Sequence, residues 1–368
     1  MRTVRRLLYR EILGATAFVM AAFLGLFFFI DLMDELQQIG RNGYTLADAG
    51  LSCLLQVPGH VYELAPIAVL IGAIHALSRL AHSSEFTILR TGGLGPGLAL
   101  QLLAGLGLGY AALTFVIGDF IAPWCDTRAT LLQASVSGRL TVAQGGAWLK
   151  DSTVQADGEH RYTVNFLSAR DDGTLEQVRI FEFGPRGELR QRTQAELARI
   201  DDEGVWTLQR VRVSHWDADR TPKLADDEVR DELQWRSGLT RAVVASAVLP
   251  LRTMTTMALY TYTSHLEDHD QAAQRYEIQF WKKALYPFAC LVMMGLALPF
   301  AYLHGRSGGI GLMVFGGIML GISFVLLNNV SGHLGLLNNW TPWIAASAPS
   351  AIYLLLSMAA FSWLVRYR

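Results

Sequence analysis

Catalysis or metal binding needs heteroatom-bearing side chains at spacings that bring them together. The densest such run in this chain is His265-Leu266-Glu267-Asp268-His269-Asp270. On a helix His265 and His269 lie at i and i+4, on one face, as two metal ligands would. The plainer account is the solvated face of a juxtamembrane helix, because no H-E-x-x-H motif accompanies the run. The three cysteines, Cys53, Cys125 and Cys290, form no C-x-x-C pair and no disulfide framework. No Lys follows a Gly, so a phosphate-binding P-loop is absent, and so is G-x-S-x-G. The sequence therefore predicts no catalytic residue, no metal site and no cofactor bound by this chain itself. Glu63 and His75 are the ionisable residues of an otherwise apolar stretch, and both read as lying near its ends.

A second segment offers a different chemistry. It runs Arg79-Leu80-Ala81-His82-Ser83-Ser84-Glu85-Phe86-Thr87-Ile88-Leu89-Arg90-Thr91-Gly92-Gly93. Ser83 or Ser84 caps a helix, Glu85 suits its positive N-terminus, and Gly92-Gly93 ends it. The expected product is a short helix, about residues 83–92, exposing Phe86 and Leu89 beside charges. Such a helix either lies on a lipid surface or docks to a partner through an apolar anchor with a polar rim.

The elements that hold these residues follow from composition. The 368 residues are 51% hydrophobic and only 17% charged, with net charge −1, which excludes an ordinary soluble enzyme, a disordered chain and a general nucleic-acid binder. About 20 apolar residues cross a bilayer as a helix. Six candidate spans emerge: 12–30, 51–77, 98–117, 284–303, 310–327 and 343–365. The second is long, with Pro58 predicting a kink. The first is longer than a signal-peptide core and lacks a cleavage site before Asp31. Arg2, Arg5, Arg6 and Arg10, then Arg79, Arg90, Arg306, Arg366 and Arg368, fall on one side of a six-span arrangement. Both termini are therefore expected in the cytoplasm and the long middle segment outside.

That middle segment, residues 135–260, alternates apolar and polar residues. Tyr162, Val164 and Phe166 share one face, as do Val178 and Ile180, with Phe181 and Phe183 opposite; Val211 and Val213 alternate with Arg210 and Arg212. Asp172-Gly173, Gly184-Pro185-Arg186-Gly187 and Asp202-Glu203-Gly204 mark turns between the runs. The pattern predicts a half-buried antiparallel meander, rolled as a sandwich, jelly roll or open barrel. Residues 255–276 read as a short helical linker.

Several segments together carry a family resemblance. They are Val57-Pro58, Leu70-Ile71-Gly72-Ala73, Ser84-Glu85, and Gly118-Asp119-Phe120-Ile121-Ala122-Pro123, which would close span three. Further on come Gln144-Gly145-Gly146-Ala147-Trp148-Leu149-Lys150-Asp151, then Arg275-Tyr276 with Trp281, Lys283 and Pro287. In their order and spacing the chain resembles the LptF/LptG permeases of the lipopolysaccharide export ABC transporter, the LptG branch more than the LptF branch. The resemblance implies a membrane α-helical fold of six transmembrane helices (3+3) with an inserted periplasmic, jelly-roll-like antiparallel β domain. Its parts would be residues 1–134, 135–260 and 261–368. It implies location in the bacterial inner membrane and partnership with an LptF-type permease, an LptB-type ATPase dimer that binds ATP and Mg, an LptC-type single-span protein and an LptA-type periplasmic bridge.

The same resemblance makes residues 83–92 a coupling helix, with Ser84, Glu85, Phe86, Leu89 and Arg90 facing the ATPase, and makes spans one and five gate elements. Where some members carry a basic residue near the outer end of span one, this chain has Asp31, so Arg41, Arg128, Lys282 and Lys283 become the candidate contacts for lipid phosphates. Two other functions compete. A stand-alone lipid-modifying enzyme would use Glu63 and residues 265–270, and an ion-driven transporter would need paired charges inside spans that are nearly bare.

Overall fold

The computed structural model describes residues 2–37, 39–40, 44–83, 85–137, 140–141, 146–155, 158–170, 173–201, 204–217, 223–241, 243–244, 253–268, 273–302 and 310–366. The chain divides into two compact units. One comprises Met1–Ile39, Ala49–Asp126 and Gln274–Arg368, and the other Gly40–Asp48 and Thr127–Ala273.

The first unit is helical. Its helices are α1 (Arg2–Leu36), α2 (Leu46–His82), α3 (Glu85–Thr91) and α4 (Pro96–Val116), with α5 (Ala122–Ser137) leading out of it. Later in the chain come α6 (Thr256–Asp268, in the second unit), α7 (Gln274–Leu285), α8 (Phe288–Ala297), α9 (Ile310–Leu337) and α10 (Pro342–Arg366). Five helices are long and apolar enough to cross a membrane, and α7 with α8 makes a sixth if that pair, bent by 51°, counts as one span. The hub is α2, whose residues from Leu64 to Leu80 are almost all buried, whereas α1, α9 and α10 present Phe18, Phe29, Leu312, Phe315 and Leu355 outward. In water that arrangement would be costly; around a helical membrane protein the outward side chains meet lipid.

Small residues set the closest helix approaches. A Cβ added at Gly72 of α2 would fall 2.6 Å from Thr16 Cα of α1, and one at Gly107 of α4 would fall 3.1 Å from Leu291 Cα of α8. Close approach of this kind replaces the hydrophobic drive that lipid cannot supply.

Span two is long, as expected: α2 runs for 37 residues with both Pro58 and Pro66 inside it. The structure corrects two other details. Span three does not close at Pro123: a π-helical turn over Ile117–Ile121 joins α4 to α5, with the Ala122 N–H donating to the Ile117 carbonyl. The wider turn takes up one extra residue and leaves Pro123, which has no N–H to donate, in the first turn of the resumed helix. The helix leading into the apolar stretch expected over 284–303 begins earlier, at Gln274, and the chain bends at Tyr286-Pro287 between α7 and α8. The linker expected over 255–276 is α6 followed by the start of α7.

The second unit is built on one antiparallel sheet. Its strands are β1 (Leu140–Thr141), β2 (Ala147–Gln155), β3 (Gly158–Phe166), β4 (Ser168–Ala169), β5 (Leu175–Phe183), β6 (Leu189–Ile200), β7 (Val205–Asp217) and β8 (Lys223–Arg236). Strands β3 and β4 pair successive stretches of the same edge of β5, and β2 and β1 pair them in turn, so eight strands make six rows. The remaining rows follow by simple hairpins. Gly173, Gly187 and Gly204 adopt φ near +80° at the turns marked in the sequence.

The sheet is rolled. Tyr162 on β3 and Trp235 on β8 have ring centroids 5.5 Å apart, although β5, β6 and β7 lie between their strands. A flat sheet at ~4.8 Å per strand would separate them by about 19 Å. Asp151 of β2 completes the closure. Buried, it accepts hydrogen bonds from the Ser237 hydroxyl (2.5 Å) and the Gly238 N–H (2.8 Å), just beyond β8. Inside lie Leu149, Val164, Phe166, Val178, Ile180, Trp206, Leu208, Val211 and Val213.

Candidate functional site

Helix α3 is short, and its ends are defined by hydrogen bonds rather than by length. At its C-terminus the Leu94 N–H donates to the Leu89 carbonyl and the Gly93 N–H to the Arg90 carbonyl, with Gly93 at φ +102°. These are the paired bonds of a Schellman motif, which needs a residue tolerant of the left-handed region at Gly93. Of the expected cap pair, Ser83 donates its N–H to the Arg79 carbonyl, and Ser84 lies outside the described residues.

The orientation of α3 differs from expectation. Phe86 is not exposed: it is 2% accessible and meets the Tyr302 ring edge-on at 5.1 Å. Arg90 lies over the same ring, 4.9 Å from its centre, and Leu89 packs half-buried against the core. One face of α3 is thus fastened to the helical unit. The opposite face carries Glu85 and Ile88, the latter 67% exposed. Sequence reasoning passed over Ile88 because a seven-residue helix offers two apolar faces, Phe86 with Leu89 and Ile88 alone, and burial chooses between them.

Around α3, Arg79 at the end of α2 pairs with Glu11 of α1, which lies 3.9 Å from Arg10. The arginines of the α1 N-terminus and the α2 C-terminus therefore share one end of the helical unit. His75 is exposed on α2, and Glu63 is exposed farther along it, where its backbone carbonyl accepts the Tyr286 hydroxyl.

Toward the other end of α1 the acidic side chains have partners. Asp31 pairs with His60 of α2 at 2.7 Å, and Phe27 packs on the same imidazole. Glu35 is buried and accepts the Ser52 hydroxyl at 3.0 Å. The candidate phosphate contacts have diverse surroundings. Lys282 donates to the Asn328 carbonyl at 2.7 Å. Lys283 is buried and coupled electrostatically to Asp119, in the π turn, and to Asp126. Arg128 is exposed on the part of α5 that belongs to the second unit, and Arg41 lies outside the described residues. The side chains of residues 265–270 lie outside the description too, and among the described residues no cluster of three His, Cys, Asp or Glu could hold a metal.

Helices of this length and lipophilicity, joined to a rolled β unit, define the class of a multi-pass membrane protein with an inserted β domain. The family profile described as lipopolysaccharide export system permease LptF/LptG matches residues 6–365, and the chain belongs to that family. Among curated relatives, it is similar to the lipopolysaccharide export system permease protein LptG of Escherichia coli strain K12, 29% identical over 93% of this chain and 92% of that protein. It is likewise similar to the LptG protein of Haemophilus influenzae, 27% identical over 96% of each.

Proposed function

We propose that this chain is the LptG-type permease subunit of a lipopolysaccharide exporter. It spans the bacterial inner membrane six times, three spans on each side of a periplasmic β unit, with both termini in the cytoplasm. The arginines gathered at one end of α1 and α2 support that orientation. The chain supplies no nucleotide chemistry of its own, lacking a P-loop. Each methylene drawn from a bilayer costs about 0.8 kcal/mol, so removing several acyl chains costs on the order of tens of kcal/mol. An LptB-type ATPase dimer holding ATP and Mg provides that energy, and an LptF-type permease completes the gate. The lipid then passes by way of an LptC-type protein and the jelly-roll-like β unit to an LptA-type bridge.

The observation that carries this reading is the two-faced helix α3. Phe86 and Arg90 fasten it to the permease, which leaves Glu85 and Ile88 for the ATPase. The coupling role expected of Phe86, Leu89 and Arg90 becomes that of holding the helix in place. Lipid phosphates are met by Arg128 and Arg41, whereas Lys282, which donates to the Asn328 carbonyl, and the buried Lys283 fix α7. The test is Glu85→Arg with Ile88→Asp in the reconstituted assembly. Lipid-stimulated ATP hydrolysis should fall at least tenfold while the permease keeps its thermal stability. Unchanged stimulation would overturn the assignment.

A further inference from the structure

The N-terminal end of α1 borders an open surface groove of about 810 Å³ lined by Arg5, Arg6, Tyr9, Arg10, Leu13 and Gly14, all of α1. The three guanidinium groups are exposed there, and α1 has no acidic residue in its first turn. Glu11 is the one carboxylate among the first thirty residues of the sequence, and it is turned to Arg79, with Arg10 at 3.9 Å. The groove is accordingly strongly cationic. Its Tyr9 wall is fixed, because the Tyr9 hydroxyl donates to the Leu102 carbonyl of α4 at 2.9 Å.

Below the arginines the surface becomes apolar. Arg6, Arg10 and Gly14 follow one another at i, i+4 and i+8, on one stripe of the helix. Nothing lies within 4 Å of a Cβ placed at Gly14, while Leu13 beside it and Phe18 one turn on are exposed, Phe18 at 77%. The stripe thus sets cations about 6 Å along the axis from an open, apolar slot. A headgroup and its chain are related in the same way.

We propose that this end of α1 binds an anionic glycerophospholipid of the surrounding leaflet. Arg5, Arg6 and Arg10 hold its phosphodiester, and one acyl chain lies along Leu13 and Gly14 toward Phe18. The bound lipid is a resident of that leaflet rather than the transported one, and the proposal rests on the chain being membrane-embedded, not on the transport reading. Anchoring the cytoplasmic end of α1 to a lipid would hold that end still while the remainder of the helix moves.

The test uses the delipidated full chain in detergent, titrated with phosphatidylglycerol or phosphatidylcholine and read by native mass spectrometry, without nucleotide or lipopolysaccharide. Phosphatidylglycerol should be retained in preference to phosphatidylcholine. An arginine at a membrane surface contributes about fivefold in affinity, so Arg5→Gln/Arg6→Gln/Arg10→Gln should lose about a hundredfold for phosphatidylglycerol and little for phosphatidylcholine. Gly14→Leu keeps every charge and fills the slot without a clash. It should weaken phosphatidylglycerol while leaving binding of glycerol phosphate, which has no acyl chain, unchanged. Equal retention by the wild type and the arginine variant would overturn the proposal. So would full displacement of the lipid by millimolar inorganic phosphate, which marks a free-anion site. Loss of a co-purifying protein with lipid retention intact would also overturn it, because the arginines would then face a protein. None of these readouts depends on transport, so failure here and failure of the Glu85 test are distinguishable.

Discussion

Phe86 illustrates how a single ring decides which side of a short helix is left for a partner. Its contact with Tyr302 is fully buried, so Phe86→Ala removes core packing worth about 3 kcal/mol or more, whereas Phe86→Leu keeps most of the volume and costs less. Thermal unfolding of the purified chain should rank the variants wild type, then Leu, then Ala, with Glu85→Ala indistinguishable from wild type. A Phe86→Ala protein as stable as wild type would place the ring outside the core. In the β unit Asp151 has a comparable position. Its carboxylate satisfies the Ser237 hydroxyl and the N–H groups of Gly238 and Ser152, so Asp151→Ala strands three donors. Leaving such groups unsatisfied costs about 1–3 kcal/mol each at most. Hydrogen exchange in the full-length protein should quicken first at residues 237–239, where the Trp206 indole also donates to the Leu239 carbonyl.

At the scale of elements, what the residue types alone revealed was the number and place of the apolar runs and the turns of the sheet. Gly173, Gly187 and Gly204 were legible because a tight turn with positive φ demands that residue. Other features were hidden for physical reasons. The π turn at Ile117–Ile121 changes hydrogen-bond partners without changing hydrophobicity, and the bend at Tyr286-Pro287 falls where the charged α7 gives way to the apolar α8, so a search for apolar runs starts only at the end of α7. Strand β7 hides a phase change. Trp206 and Leu208 are buried on one side of Arg210, and Val211 and Val213 on the other, because Arg210 sits at φ +52° and resets the alternation. Gln177 does the same in β5, between Leu175 and Val178. A period-two reading follows either half but not the join. Glycine contacts were equally invisible in the sequence, and they yield a sharp contrast. Gly72→Val drives a side chain into the backbone of Thr16 and should cost about 1–3 kcal/mol or more in thermal stability by forcing α1 off α2. Gly25→Ala, in the same α1 helix with open space around it, should be neutral or slightly stabilising. Equal effects would mean that Gly72 and Thr16 do not meet.

For the molecule as a whole, the two units are held by different forces and should respond differently to acid. The helical unit relies chiefly on apolar burial, which does not titrate, beside the ion pairs Asp31–His60 and Glu11–Arg79. The β unit carries most of the lowered carboxylates at its surface. The Glu188 carboxyl is held below its ordinary value by its own backbone N–H and then by Arg190 and Arg186. The Glu228 carboxyl is lowered by hydrogen bonds from Arg230 at 2.8 and 2.9 Å. A carboxylate lowered in the folded state binds its proton later than the unfolded chain does. Its contribution is therefore complete above the ordinary glutamate value of 4.5, and it shrinks as the pH falls from there through the lower folded value. Glu228 is exposed and Glu188 sits half-buried at the surface, so the effect is modest and added salt weakens it further. Thermal unfolding of the full chain, followed in the infrared where strand and helix absorb separately, should show the strand midpoint falling between about pH 5 and pH 3. The helix midpoint should change less over that interval. Glu188→Gln with Glu228→Gln should flatten the strand response, since glutamine has no proton to take up. A strand midpoint that holds steady in acid, or falls equally in the double variant, would assign the acid response to other carboxylates.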